Sequence, residues 1–88
     1  MKTNKAEENN QQYNDKGERI GYWEWYWDNG NLHYKGHYID GVKDGYWEYY
    51  NSNGNVWFKG NFINGKYHGY WNYYNRDTEK TYKKEFYI

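Results

Sequence analysis

Gly45-Tyr46-Trp47-Glu48-Tyr49-Tyr50-Asn51-Ser52-Asn53-Gly54-Asn55-Val56-Trp57-Phe58-Lys59-Gly60 holds two aromatic-rich runs of strand length on either side of Asn53-Gly54. Asn-Gly between such runs is the strongest short-range hairpin signal, because a two-residue type I′ turn needs positive φ at both central positions. With Asn53-Gly54 as the turn, Glu48 faces Lys59, Tyr49 faces Phe58 and Trp47 faces Gly60. Opposite charges meet across the strands and a ring covers a glycine, so the pairing is chemically self-consistent.

The same stretch recurs. Gly21-Tyr22-Trp23-Glu24, Gly45-Tyr46-Trp47-Glu48 and Gly69-Tyr70-Trp71-Asn72 stand 24 residues apart, and 12 of the 24 positions agree between the first two copies. A turn at Asn29-Gly30 sets Glu24 against Lys35, Trp25 against Tyr34 and Trp23 against Gly36, which repeats the second hairpin's pattern. A fixed period of this length marks a repeat architecture in which each unit buries its face only against its neighbours.

The expected fold is all-β: a single-layer, twisted antiparallel meander of about six strands, with repeats at residues 21–44, 45–68 and 69–88. Turns at Gly41-Val42 and Gly65-Lys66 would join the hairpins, placing Lys35 opposite Glu48, Lys59 opposite Asn72 and Phe58 opposite Tyr73. One face then carries Trp23, Gly36, Trp47, Gly60 and Trp71 in a row. Beside it run an aromatic row from Trp25 to Tyr82 and a row alternating Gly21, Tyr38, Gly45, Phe62, Gly69 and Phe86. The other face carries the ladder Glu24, Lys35, Glu48, Lys59, Asn72 and Lys83. Tyr22, Tyr46 and Tyr70 flank it on one side, and Tyr26, Tyr50, Trp57 and Tyr74 on the other. The third unit departs from the pattern: its turn reads Asp77-Thr78 and Lys84 replaces the glycine. Lysines on a last strand discourage edge-to-edge pairing. Lys16-Gly17 aligns with Asp40-Gly41, so a half-strand around Tyr13–Asp15 is expected against the first edge. Residues 1–12, nearly devoid of apolar side chains, read as a disordered polar tail before a domain over 13–88.

Composition bounds function. Twelve basic and twelve acidic residues cancel, which removes the electrostatic footprint of a nucleic-acid or anionic-membrane binder. There is no cysteine, and no apolar stretch is long enough for a signal peptide or membrane span, so a cytoplasmic location is expected. Aromatic residues make up 26% of the chain, so the core has to be built from rings. Glu24 and Glu48 are the only regularly placed carboxylates, and Lys35 between them favours a solvated ladder over an acid–base pair. His33 and His37 share a face on strand spacing but lie about 13 Å apart along the strand, too far for one metal. The chain has no phosphate-binding glycine motif, and its one serine, Ser52, sits beside a turn. No catalytic, cofactor-binding or metal-binding residue is expected, and no cofactor.

The segment Phe58-Lys59-Gly60-Asn61-Phe62-Ile63-Asn64-Gly65-Lys66-Tyr67-His68-Gly69-Tyr70-Trp71 resembles the MORN repeat, whose pattern reads Tyr-x-Gly-x-Trp-x-x-Gly-x-x-His-Gly-x-Gly. Tyr34 to Trp47 matches less fully, with Asp44 at the histidine position; Trp23, Trp47 and Trp71 replace the last glycine, as in the bacterial variant of the repeat. The likeness spans about residues 17–88. It implies hairpin arrays used as scaffolds for protein–protein contact, with lipid contact in the wider family and antitoxin-like labels on bacterial variants. Trp47-Glu48-Tyr49-Tyr50 followed by Asn51 and Gly54 also looks like choline-binding cell-wall repeats, which are shorter and come with a secretion signal.

The expected function is a non-enzymatic protein-interaction module, either a scaffold or a small inhibitor of another protein, with self-association possible and neither nucleic acid nor membrane as partner. Carbohydrate or cell-wall ligand binding through stacked rings is the alternative. Tyr46, Tyr50, Trp57, Tyr70 and Tyr74 are the candidate contact residues, since aromatics dominate binding energy where they become desolvated.

Overall fold

The structure, a computed structural model, describes residues 12–88. The expectation of a disordered tail therefore lies outside the described residues, apart from Gln12. Six strands, β1 (Gly21–Tyr26), β2 (Leu32–Ile39), β3 (Val42–Tyr50), β4 (Val56–Ile63), β5 (Lys66–Tyr74) and β6 (Thr81–Tyr87), form one antiparallel sheet in sequence order. The sheet measures 42 × 35 × 16 Å, so it stays one layer thick. Ahead of β1, Tyr13 bridges Arg19, so the expected half-strand pairs with the segment leading into β1 and not with β1 itself.

The hairpin registers follow the expected pairs: Glu24↔Lys35, Trp25↔Tyr34 and Trp23↔Gly36 in the first, and Glu48↔Lys59, Tyr49↔Phe58 and Trp47↔Gly60 in the second. The turns that produce them differ from expectation. Gly30 N–H donates to the Trp27 carbonyl (2.9 Å) and Trp27 N–H to the Asn31 carbonyl (2.8 Å), closing a three-residue loop over Asp28–Gly30. Only Gly30 has positive φ there, 93°. The longer loop shifts the first pair to Tyr26↔Leu32, and a bulge beyond it returns the register. Two offsets cancel, so the body of the hairpin pairs as a two-residue turn would have paired it. Asn51–Asn55 repeats the arrangement.

The type I′ geometry occurs at the other end of the sheet. Asp40 and Gly41 have φ of 47° and 82°, and Asn64 and Gly65 have 52° and 79°. These are the connections between repeats, one residue earlier than Gly41-Val42 and Gly65-Lys66. Ile39↔Val42 and Ile63↔Lys66 close them. The expected Lys35↔Glu48 and Lys59↔Asn72 pairs still form, because a bulge intervenes. Between Lys35↔Glu48 and His37↔Asp44, β2 spends one residue, Gly36, where β3 spends three, Gly45, Tyr46 and Trp47. The row that was to alternate Tyr38 with Gly45 is broken there: Tyr38 faces Lys43, and Phe62 faces Tyr67.

That bulge tips each tryptophan back onto the preceding strand. A Cβ on Gly36 would stand 2.1 Å from Trp47 Cδ2, and one on Gly60 2.3 Å from Trp71 Cδ2. Gly60 thus seats Trp71 alone, while Trp47, directly across from Gly60, leans onto Gly36. Trp23, Trp47 and Trp71 are wholly buried although no second layer exists. Each indole N–H is satisfied by a backbone carbonyl: Ile20 (2.9 Å), His37 (3.1 Å) and Asn61 (3.0 Å).

The exposed side of each ring is covered by the residue four positions earlier. The Arg19 guanidinium lies 5.3 Å from the Trp23 ring, Lys43 Nζ lies 5.0 Å from the Trp47 ring, and Tyr67 stacks on Trp71 at 4.4 Å. Two cations and a ring thus occupy one repeat position. Lys43 Nζ also donates to the Tyr49 hydroxyl (2.7 Å), and burial pushes its pKa down. Glycine seat, indole and cover make a stack thick enough to exclude water from a single sheet, at about 5 kcal/mol of transfer free energy per buried indole.

Repeats are also joined at both ends. Nδ2 of Asn29 and of Asn31 each donate to the Ser52 carbonyl at 2.8 Å, and Asn53 and Asn55 reach the Arg76 carbonyl at 3.3 and 2.9 Å. At the opposite end, Gly41 N–H donates to Arg19 O and Gly65 N–H to Lys43 O.

The last loop has four residues, Arg76–Glu79, centred on the expected Asp77-Thr78, so Tyr74 still pairs with Thr81. Asn75 N–H donates to the Lys80 carbonyl, and Glu79 adopts positive φ, 63°. A bulge between Tyr74 and Tyr73 then shifts the register, so Tyr73 pairs with Lys83, Asn72 with Lys84, Trp71 with Glu85 and Gly69 with Tyr87. The alternation of β6 is therefore inverted relative to expectation. Lys84 and Phe86 join the charged face in place of Lys83, Lys83 and Tyr87 lie on the tryptophan face, and Glu85, not Lys84, occupies the glycine position.

Candidate functional site

The face opposite the tryptophans is built by tyrosines two residues from each acidic side chain, which places them on the same side of the strand. Tyr22 Oη donates to Glu24 Oε2 (2.6 Å), and the Tyr26 hydroxyl donates to the other carboxylate oxygen. Tyr50 Oη donates to Glu48 Oε1 (2.6 Å), and Lys35 Nζ lies 3.4 Å from that oxygen. The hydroxyls of Tyr22 and Tyr26 hold the Glu24 carboxyl below its ordinary pKa. For Glu48, burial pushes upward, but the Tyr50 hydroxyl and Lys35 outweigh it and the net shift is down. Tyr22 and Tyr50 are raised correspondingly, by burial first and by their bonds to the carboxylates second. All four groups keep their neutral-pH charge states. The two hydroxyls on Glu24, and the hydroxyl and lysine at one oxygen of Glu48, favour the ionised carboxylates.

The five candidate residues fall in three settings. Tyr46 and Tyr70, at 48% and 60% exposed, stand in the file beside the ladder. Tyr50 and Tyr74 are half-buried on its other flank; the Tyr50 hydroxyl is spent on Glu48, and Lys59 Nζ lies 5.5 Å from the Tyr74 ring. Trp57, 42% exposed, is removed from that flank. The bulge between Tyr50↔Val56 and Tyr49↔Phe58 leaves it unpaired, and its ring sits edge-on to Phe58 at 5.1 Å.

Two further residues belong with Tyr46 and Tyr70. His37 lies opposite Tyr22 with ring centroids 5.3 Å apart, and Phe86 lies opposite Tyr70 at 4.8 Å. Tyr22, Lys35, His37, Tyr46 and Glu48 surround a shallow hollow of about 210 Å³ floored by Gly36. Phe86 escaped sequence reasoning because a bulge between Tyr73 and Tyr74 inverts β6. His37 was visible as the residue facing Tyr22 in the first hairpin.

His33 and His37 do not share a face. The bulge turns His33 against Trp27, with ring centroids 3.6 Å apart, and burial pushes its pKa down. Among the described residues no three His, Asp or Glu side chains come close enough to hold a metal ion. Comparison of the chain with family models, with curated proteins and with solved structures returned no match.

Proposed function

We propose that this chain is a non-enzymatic protein-interaction module, a scaffold or a small inhibitor, that engages another protein through its tyrosine face. The observation that carries this reading is the contrast between the faces. Trp23, Trp47 and Trp71 are fully buried within the sheet, whereas Tyr46, Tyr70 and Phe86 stay 48–60% exposed in one file beside a polar ladder. Half-exposed tyrosines next to ordered charged groups match the composition of interface centres, where an amphipathic ring loses little side-chain entropy on binding. The resemblance to bacterial MORN-type repeats points the same way.

The test is copurification of the wild-type chain and of Tyr46→Ser/Tyr70→Ser from the native host. A protein retained by the wild type and lost by the variant, with circular dichroism unchanged, supports the reading. Retention of the wild type on polysaccharide or choline resin, with no protein captured, overturns it in favour of glycan binding.

A further inference from the structure

The sheet ends at β6, and the internal joints between repeats show what kind of strand such an edge accepts. β3 covers β2 and β5 covers β4 in the same way: an acidic or amide residue, Glu48 or Asn72, faces Lys35 or Lys59, and an indole comes to rest on Gly36 or Gly60. On β6 the corresponding positions are Lys84 for the lysine and Glu85 for the glycine, since Asn72 pairs with Lys84 and Trp71 with Glu85. The aromatic position held by Tyr34 and Phe58 is taken by Lys83.

Two consequences follow from the two substitutions and the retained lysine. At Gly36 and Gly60 an added Cβ would lie 2.1–2.3 Å from the incoming indole, so Glu85 denies a further tryptophan repeat, from this chain or another copy, its seat. Glu85 is also tied in place, accepting from the Tyr87 hydroxyl (2.6 Å) and lying 3.6 Å from Lys83 Nζ. Meanwhile the ammonium groups of Lys83 and Lys84 project on opposite faces of one edge, against the rings of Tyr73 (5.1 Å) and Tyr70 (5.5 Å). Tyr82 and Phe86 beside them are 63% and 60% exposed.

We propose that the β6 edge accepts an extended acidic segment of another protein as a seventh antiparallel strand, and that Glu85 excludes a further repeat of this chain's own type. Backbone hydrogen bonds supply affinity in strand addition and the alternating side chains supply selectivity. The segment carries two consecutive carboxylates, one for Lys84 and the next for Lys83, preceded by a small residue opposite Glu85. This surface meets the tyrosine file at Tyr70 and Phe86 but excludes Tyr46, so a variant at Tyr46 tells the two apart.

The probe is the blocked peptide acetyl-Thr-Val-Thr-Gly-Glu-Glu-Thr-Val-amide, titrated into isotopically labelled full-length protein. Saturable shifts confined to the amides of Thr81–Tyr87 and their β5 partners are expected. Lys83→Glu/Lys84→Glu should weaken binding about tenfold or more, and a peptide with two lysines in place of the glutamates should bind at least that much more weakly. Replacing the peptide's glycine by tryptophan should abolish binding to the wild type and restore it in Glu85→Gly. Tyr46→Ser should leave the titration unchanged, which separates this proposal from the tyrosine face. No shift in β6, shifts centred on Tyr46, equal binding of the acidic and basic peptides, or equal binding of the tryptophan peptide to wild type and Glu85→Gly would each overturn it.

Discussion

The two faces of this sheet use the same currency of rings and differ in what lies beneath and above them. On one, an indole rests on a glycine and is covered by the side chain four residues back, so Trp23, Trp47 and Trp71 reach zero exposure in a molecule 16 Å thick. On the other, Tyr22, Tyr46 and Tyr70 stand beside Lys35, Glu48 and Lys59 with only partial cover, and water reaches Tyr46 and Tyr70. Aromatic content alone does not decide whether a face is core or contact surface. The neighbour that receives the ring and the neighbour that closes over it decide.

The largest effect expected from breaking this contrast is at the central indole. Trp47→Ala removes a fully buried ring and should cost about 3–5 kcal/mol. A chain of this length has roughly 4–13 kcal/mol in total, so most of the margin goes. A urea melt checks it, and a loss below about 1 kcal/mol would mean that the sheet does not depend on the stack.

Filling the seat comes next. Gly60→Val places a branched side chain inside the Trp71 ring and should cost about 1–3 kcal/mol or more. Lys59→Ala, one residue away on the other face, should cost roughly 0–1 kcal/mol. Thermal melts of the pair decide it, and equal losses would remove the seat from the account.

The tyrosine face should behave in the opposite way. Tyr46→Ser/Tyr70→Ser is expected to change stability by less than about 1 kcal/mol, since both rings already meet water. If melting drops by as much as in Trp47→Ala, these rings are core and the faces are misassigned.

Acid gives the smallest effect. Glu24 and Glu48 titrate below their ordinary value of 4.5 in the fold, so the unfolded chain takes up their protons first. Their contribution is present above about pH 4.5 and is lost as pH falls through the lower folded values. Partial solvent exposure keeps it to roughly 0–1 kcal/mol each. Glu24→Gln should flatten that part of the stability–pH curve, and an unchanged curve would mean that the tyrosine hydroxyls do not hold the carboxylate.

Much of the fold was legible. The period and the Glu–Lys and Trp–Gly coincidences were enough to set the register of both hairpins, because only one alignment satisfies charge and packing together. The turns were misread. Asp40-Gly41 and Asn64-Gly65 carry the type I′ geometry that Asn29-Gly30 and Asn53-Gly54 suggested. The error stayed hidden because each longer loop is compensated by a bulge, so the pairs inside the sheet come out alike. In the third unit the four-residue loop keeps the expected register at Tyr74↔Thr81, and the bulge beyond it moves the pairing by one residue, so β6 presents the other side of its alternation. The covers at Arg19, Lys43 and Tyr67 fall on one repeat position as three different residues, two cations and a ring, so identity between repeats could not mark them.

The 24-residue pattern by itself determined that this chain is an all-β array whose units pair in one register, since local turn propensity and cross-strand complementarity are encoded within each unit. Only the tertiary structure decided where a bulge tips a ring backward onto its glycine, which cation or ring closes over it, and which residues of β6 face which side. Those outcomes depend on a neighbouring strand's path in space, and a shift of one residue in that path exchanges every side chain between the two faces.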